Sequence, residues 1–450
     1  MSAIQRISSN RAFILAIAGA AIGLGNIWRF PYVAGENGGS LFFLVYLLFV
    51  IVMGLPVMIA EISLGRAGRA SPASSFRQLA VASGRSRQWS KVAALGTLAA
   101  TLVLSFYSVV SGWAIYYFIE AVSGDLSDLS ITEANHVFEE FLASPSRLIL
   151  FHSLFIVMTI LVSGSKVSQG IEKLNAWLMP LMYFILLALV VYASGFNGFS
   201  QAIDYLFAVR MEALEWSVFL EAMGHAFFTL AIGACCLMAY GAYMPERQSI
   251  IKAVCIVALL DVLVAVMVGI ASFSVVFTES IEPAAGPGLM FIALPVALGS
   301  MPMGDWVLPL FFLLMIIATW TSSVNLGEPL VVLAARWLGS RWRGAVLTGL
   351  VVWLAGIVPA LSFNVFSGIS PLPGKSLFDV YTAFPTQILL PVTGLLILLF
   401  AGYVLDQKRL QEQLGLTGIQ FKCWLILIRL VSPLLVVTVL VSGIIKSQAG

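Results

Sequence analysis

A cluster of glycines interrupts the first apolar stretch of the sequence and is followed at once by polar residues. Gly19, Gly23 and Gly25 lie within seven residues, and Asn26 and Arg29 come directly after them. Glycines often serve only to pack membrane helices closely, but the polar neighbours favour a broken helix here. A broken helix exposes carbonyl oxygens, which suit Na⁺, and N–H groups, which suit a carboxylate. These residues therefore predict a binding site inside an apolar layer.

Further oxygen-bearing side chains stand in later apolar stretches. Thr229 lies in a stretch that contains Gly233, Asp261 lies alone in another, and Thr321 begins the triplet Thr-Ser-Ser. A carboxylate inside an apolar span is expensive to bury and is functional by default. Hard cations prefer oxygen ligands, so these side chains are candidates for cation binding.

The composition indicates what kind of protein must position these residues. Of 450 residues, 60% are hydrophobic and only 10% are charged, and the mean hydropathy is +0.99. Soluble domains carry about 25% charged residues, so the sequence predicts a polytopic membrane protein. A net charge of +2 provides no basic domain for nucleic acid. The four cysteines lack disulfide or metal spacing, and no protease or hydrolase motif recommends an enzyme.

A membrane-spanning helix needs about 20 mostly apolar residues, and this length divides the chain into successive spans. The sequence predicts eleven of them, near 12–35, 40–65, 91–121, 147–164, 174–194, 217–243, 250–278, 305–335, 344–362, 377–404 and 421–445. The fold class is therefore all-α. Most of the 24 Lys and Arg residues fall on the side of the N-terminus, which predicts a cytoplasmic N-terminus and an outer C-terminus in the cell inner (plasma) membrane.

The first and sixth spans are both interrupted, and each begins a group of five. A group of five spans crosses the membrane an odd number of times, so the two groups have opposite topology. We expect a single transporter domain over 1–450, with a first repeat at about 12–194, a second at about 217–404 and an extra helix at about 421–445. Inverted repeats led by interrupted helices are typical of secondary transporters, with the site at mid-membrane.

Three motifs resemble those of the neurotransmitter:sodium symporters. Gly-Leu-Gly-Asn-Ile-Trp-Arg-Phe-Pro-Tyr at 23–32, followed by Glu-Asn-Gly-Gly at 36–39, is similar to the first-helix signature. Phe-Phe-Thr-Leu at 227–230 and Thr-Ser-Ser at 321–323 resemble the motifs of helices six and eight. The resemblance implies the leucine-transporter fold, with helices one and six unwound at mid-membrane. It also implies Na⁺-coupled uptake of an amino acid or amine by alternating access.

The resemblance implies two sodium sites. The first would use Ala21, Asn26, Thr229 and Asp261, and the substrate carboxylate would complete it. The second would use Gly19, Ile22, Ala318, Thr321 and Ser322. Many relatives have Asn at position 261 and add a chloride ion. Because Asp261 supplies a negative charge itself, we expect no chloride requirement.

The substrate pocket follows from the same resemblance. Amine carriers place Asp at position 23, whereas Gly23 leaves room for an amino-acid carboxylate beside Tyr107. The expected substrate-binding residues are Ala21, Gly23, Leu24, Gly25, Val103, Tyr107, Phe228, Thr229, Ala231, Gly233, Ala234, Ser322 and Leu326. Most are apolar, and Ala231 and Ala234 are small, so we expect a neutral, bulky aliphatic or aromatic L-amino acid.

The remaining expectations concern gating. Arg29 and Phe228 resemble the outer gate, with Asp379 as the nearest replacement for a helix-ten aspartate. Tyr243 alone survives from the inner gate. Gly170 and Pro180 have the spacing of a helix-five segment that unwinds to release sodium. We expect Glu61 to cap the exposed N–H groups of broken helix six.

Three other readings remain open at this stage. A proton-coupled amino-acid carrier of the same fold is the closest rival, although the paired Thr321 and Ser322 hydroxyls favour sodium. A non-transporting amino-acid sensor would bind without accumulating ligand, and a channel would conduct without coupling. The oligomeric state does not follow from the sequence.

Overall fold

The computed structural model describes residues 6–209, 215–280 and 286–449. Its regular elements are helices, and the membrane-spanning ones correspond one to one with the eleven predicted segments. We number them α1 (Asn10–Ala21 and Gly25–Glu36), α2 (Ser40–Gly68), α3 (Arg87–Ser123), α4 (Pro145–Ser163), α5 (Ile171–Ala193), α6 (Trp216–Thr229 and Cys236–Tyr243), α7 (Ile250–Thr278), α8 (Gly304–Leu326), α9 (Arg341–Leu361), α10 (Leu377–Val404) and α11 (Gly418–Gly443).

Nine of these helices in the described part of the chain are continuous, apolar and long enough to span a membrane. The two halves of α1 bend by 50° relative to each other and make a tenth span. The two halves of α6 are each too short to span alone, and together they account for the remaining predicted segment. The predicted interruptions of the first and sixth segments are therefore real breaks in the helices.

Local sequence explains where α1 begins and breaks. The Ser9 side chain accepts a hydrogen bond from the Ala12 N–H and so caps the helix start. At Ile22 the backbone turns extended, and Gly23 follows before the helix resumes. The first half of α1 then packs against α5, α7 and α8, which places its broken end in the core of the bundle.

The predicted eighth span, 305–335, was too long. Helix α8 ends at Leu326, and a separate helix, Glu328–Leu338, starts after Gly327. Pro329 sits in the first turn of the second helix, where its missing N–H has no helical acceptor in any case. The residues after Gly327 therefore form a distinct element at the end of α8.

Candidate functional site

The break in α1 meets the break in α6. A Cβ added to Gly25 would lie 3.3 Å from the Thr229 Cα, so the two backbones approach closely where both helices are interrupted. Helix α6 stops at Thr229, and Ala231 and Gly233 take left-handed conformations (φ 52° and 85°) in the following segment. The site is built around these interrupted helix ends.

Side chains from four helices, α1, α2, α6 and α7, converge beside the two breaks. The Asn26 amide donates to Asp261 Oδ1 at 2.8 Å, and the Thr229 hydroxyl donates to the same oxygen at 3.1 Å. The Tyr46 hydroxyl donates to the other carboxylate oxygen at 3.1 Å. Asn26 and Asp261 are fully buried, and Thr229 is 2% exposed. The structure thus brings the expected side-chain ligands of the first sodium site into one cluster with Asp261 at its centre.

The expected ligands of the second sodium site lie on α1 and α8, which pack against each other. The Ser322 hydroxyl donates across the interface to the Ala20 carbonyl at 3.2 Å. The Thr321 hydroxyl donates to the Ile317 and Ala318 carbonyls of its own helix, each at 3.0 Å. All of these groups are oxygens, and each hydroxyl keeps lone pairs for a cation. The donor set therefore fits a hard monovalent cation.

A small internal cavity lies against both breaks. Its volume is about 30 Å³. Its lining contains every expected substrate-binding residue except Gly233, together with Ala20 and Leu390, which the sequence did not single out. Gly233 does not line the cavity; its N–H donates to Glu61 at 3.2 Å, and a Cβ there would lie 2.3 Å from the Leu390 carbonyl oxygen.

Gly23 lies in the cavity lining directly beside two hydroxyl groups. A Cβ at position 23 would lie 2.0 Å from the Tyr107 hydroxyl and 2.9 Å from the Ser322 hydroxyl. The Tyr107 hydroxyl accepts a hydrogen bond from the Leu24 N–H at 2.9 Å, just after the break. Two hydroxyls and the start of the second half of α1 therefore surround the space that a side chain would fill.

Glu61 on α2 reaches the segment that joins the halves of α6. Its carboxylate accepts from the Gly233 N–H at 3.2 Å and from the Met238 N–H at 3.4 Å. The side chain is fully buried. These bonds satisfy N–H groups that the break leaves without helical partners.

A larger cavity of about 310 Å³ lies on the Arg29 side of the internal one. We call it the vestibule; it is lined by Leu24, Trp28, Arg29, Tyr32, Phe106, Phe228, Lys375, Asp379, Thr382, Ala383, Thr386 and Gln387. Leu24 and Phe228 line both cavities and so separate them. Arg29 lies over the Phe228 ring at 5.3 Å from its centroid.

In this structure Arg29 pairs with Glu221 rather than with Asp379. Arg29 is 3.8 Å from Glu221 of α6. The Asp379 carboxylate instead caps its own helix, accepting from the Ser376 N–H at 2.9 Å and the Ser376 hydroxyl at 2.7 Å. Asp379 lies in the first turn of α10, where a capping box has its acidic residue, and this local bond competes with a distant arginine.

A second ionic network lies at the opposite end of the bundle. Glu328 is fully buried and receives two bonds from Arg341, at 2.8 and 2.6 Å. The Tyr243 hydroxyl donates to Glu328 at 2.6 Å, and the Tyr243 carbonyl accepts from the Ile7 N–H at 3.0 Å. Sequence reasoning named Tyr243 but not its partners Glu328 and Arg341. Glu328 is the centre of a network that joins α6, α9 and the N-terminal segment.

Gly170 and Pro180 bracket the start of α5. Gly170 precedes the helix with φ −97° and ψ −83°, and Pro180 lies inside it. The helix is wound from Ile171 onward. Glu172 in its first turn accepts from the Ser8 N–H and hydroxyl, so the N-terminal segment is tied to this turn.

Comparison with known proteins identifies the family to which this chain belongs. The model of the sodium:neurotransmitter symporter family matches residues 5–144 and 136–450. The chain belongs to the sodium:neurotransmitter symporter family. It is therefore a sodium-coupled, multi-pass membrane transport protein with the leucine-transporter fold, rather than an enzyme.

Individual relatives extend the likeness over almost the whole chain. An uncharacterised sodium-dependent transporter of Bacillus subtilis, YhdH, is 32% identical over 439 residues, which is 96% of each chain. An uncharacterised sodium-dependent transporter of Methanocaldococcus jannaschii is 29% identical and covers 98% of this chain and 92% of its own. The crystal structure of MhsT in complex with L-phenylalanine has 35% identity and a TM-score of 0.90, covering 98% of this chain and 99% of MhsT.

Proposed function

We propose that this symporter imports neutral hydrophobic L-amino acids, with bulky aliphatic or aromatic side chains, together with two sodium ions. The observation that carries this proposal is the internal cavity between the broken helices, with an apolar lining and the Asn26, Thr229 and Asp261 cluster at its edge. The substrate carboxylate would lie near Gly23 and Tyr107, and its side chain among Val103, Ala231 and the other apolar groups. MhsT, which has the same fold, binds L-phenylalanine.

The pocket must widen to admit such a substrate. A cavity of about 30 Å³ is far smaller than the roughly 150 Å³ of an apolar cavity that binds benzene. Phe228 separates it from the vestibule, so movement of this ring would enlarge the pocket into space that already exists. We propose that the whole chain forms one transporter domain with two inverted repeats. Its N-terminus would be cytoplasmic, so that the vestibule faces outward.

Two sodium ions and a zwitterion would carry net positive charge inward. Each charge gains roughly 2.3 kcal/mol per 100 mV, so uptake would be electrogenic and concentrative. The test is ²²Na⁺ binding to purified protein, with all twenty amino acids as competitors of a labelled hydrophobic one. The proposal is supported if binding depends on sodium and bulky hydrophobic amino acids compete best. Substrate binding that does not depend on sodium overturns it.

Transport is expected to continue without chloride. Asp261 already places a carboxylate against Asn26 and Thr229, so no mobile anion is needed to balance sodium there. Uptake should stay within about twofold of its rate when gluconate replaces chloride, since the charge at the site is unchanged. Loss of uptake in gluconate buffer would contradict the assignment of Asp261.

Release to the cytoplasm is proposed to require unwinding of α5 before Pro180. Proline lacks an N–H and disfavours helical geometry for Met179, and Gly170 makes the preceding turn easy to open. Pro180→Ala should therefore slow uptake about tenfold or more while changing Na⁺-dependent substrate binding by less than about threefold, because alanine favours the helix by about 3 kcal/mol. Equal uptake rates at matched protein levels would show that this segment need not unwind.

The Glu328 network is proposed to be the cytoplasmic closure. Glu328→Gln removes the charge opposite Arg341, and amide exchange near Ile7 and Tyr243 should become about tenfold faster. Glu246→Gln is the matched control, because it removes an exposed ion pair with Arg6 at the same end. Wild-type amide exchange in both variants would show that the Glu328 network does not hold the cytoplasmic end closed.

A further inference from the structure

We propose that a buried pair of asparagines, Asn175 on α5 and Asn325 on α8, couples the second sodium site to the winding of α5 between Gly170 and Pro180. The inference rests on the function proposed above, because it assigns positioning residues to its release step. Neither asparagine is an expected ligand of sodium or substrate.

The two side chains bond each other in both directions. The Asn175 amide donates to Asn325 Oδ1 at 3.1 Å, and the Asn325 amide donates to Asn175 Oδ1 at 3.0 Å. Both residues are fully buried. The Tyr240 hydroxyl also donates to Asn325 Oδ1, at 2.5 Å. One polar cluster therefore joins α5, the second half of α6 and α8 within the core of the bundle.

The pair touches both sides of the proposed second sodium site. The Asn325 amide donates to the carbonyl of Thr321 at 2.7 Å. A Cβ at Gly19 would lie 2.5 Å from Asn175 Oδ1 and 2.6 Å from Asn325 Nδ2, so the pair packs directly on the Gly19 backbone. Gly19 and Thr321 are among the expected sodium ligands from α1 and α8. An ion bound to both residues would therefore also fix the backbone segments of α1 and α8 that contact the two asparagines.

The pair also contacts the first turn of α5, which is the turn proposed to unwind. Asn175 lies midway between Gly170 and Pro180, and its amide donates to the Ile171 carbonyl at 2.9 Å. Unwinding this turn would carry Asn175 away from Asn325 and leave buried amide groups without partners, which is costly. The bonded pair therefore favours the wound helix. By reciprocity, sodium at the second site stabilises the wound turn, and the wound turn strengthens sodium binding.

The test uses the purified full chain in three variants: Asn175→Ala, Asn325→Ala and the double variant. Amide exchange over 171–179 and the sodium concentration that half-saturates substrate binding are measured for each. An interhelical side-chain hydrogen bond in a membrane is worth about threefold in an equilibrium, so loss of two predicts roughly tenfold faster exchange in sodium and a several-fold higher half-saturating concentration. The double variant should match either single variant, because both remove one shared interaction.

Thermal stability separates coupling from packing. Each single variant leaves an orphaned amide and should melt lower, whereas the double variant removes both amides and should recover part of that loss. Its exchange over 171–179 should nevertheless stay fast. Asn364→Ala is the control, because it removes an amide bonded to the Leu142 carbonyl and away from α5. Asn175→Ser, too short to reach Asn325, replaces Asn175→Ala if the latter fails to fold.

Two results would overturn the coupling. Additive effects in the double variant would show that the asparagines act independently. Lower melting with unchanged exchange and unchanged sodium dependence would show that the pair only packs helices. Wild-type protein without Na⁺-dependent substrate binding would overturn the proposed function itself, so that measurement comes first and distinguishes the two failures.

Discussion

Asp261→Asn is expected to weaken sodium-dependent substrate binding by about 100-fold or more. The carboxylate is buried and bonded by Asn26, Thr229 and Tyr46, so its charge is available to a cation at the first site. Removing one partner of a buried ion pair costs about 3–5 kcal/mol, and each 1.4 kcal/mol is tenfold. Equilibrium binding of a labelled hydrophobic amino acid across a sodium titration measures the change.

Asp379→Asn is the matched control for this substitution. Asp379 lies in the α10 wall of the vestibule, and its carboxylate accepts a hydrogen bond from the Ser376 N–H in a capping box. We expect the control to bind substrate within about threefold of wild type. If Asp261→Asn kept the wild-type sodium dependence, Asp261 would not be part of a sodium site.

Gly23→Ala is expected to reduce substrate affinity by up to roughly 100-fold. The added methyl group would overlap the Tyr107 hydroxyl at 2.0 Å and crowd Ser322 at 2.9 Å, in the space assigned to the substrate carboxylate. Overpacking costs up to about 3 kcal/mol even before a ligand competes for the space. Binding at saturating sodium measures the effect separately from the ion sites.

Gly224→Ala provides the comparison for this variant. Gly224 lies in the first half of α6, and a Cβ there would meet nothing within 4 Å. We expect unchanged affinity, since alanine also favours the helix. Wild-type affinity in Gly23→Ala would show that the substrate carboxylate does not bind in this part of the cavity.

Much of the fold could be predicted from the sequence because the bilayer constrains it strongly. The ends of α7, Ile250–Thr278, and of α10, Leu377–Val404, coincide with the predicted spans 250–278 and 377–404. Apolar length alone fixes such elements. The eighth span was overextended because the helix Glu328–Leu338 continues the apolar pattern beyond Gly327. Composition does not show a break when apolar residues lie on both sides of it.

The candidate site was predicted less evenly. The residues around the breaks of α1 and α6 lie in recognisable motifs, and all but Gly233 of the expected pocket line one cavity. The partners of Arg29 and Glu328 were missed, because Glu221 and Arg341 lie on other helices and no local pattern links them. The same holds for Asn175 and Asn325, which are 150 positions apart and meet only in the folded bundle.

Uptake into proteoliposomes tests the central claim most directly. Purified protein would be reconstituted in chloride-free buffer, and accumulation of labelled L-phenylalanine and L-leucine would be followed under an inward sodium gradient. We predict accumulation above equilibrium that collapses when the sodium gradient is dissipated and increases with an inside-negative potential. Accumulation driven equally by a proton gradient without sodium, or sodium-dependent binding with no accumulation at all, would contradict the account.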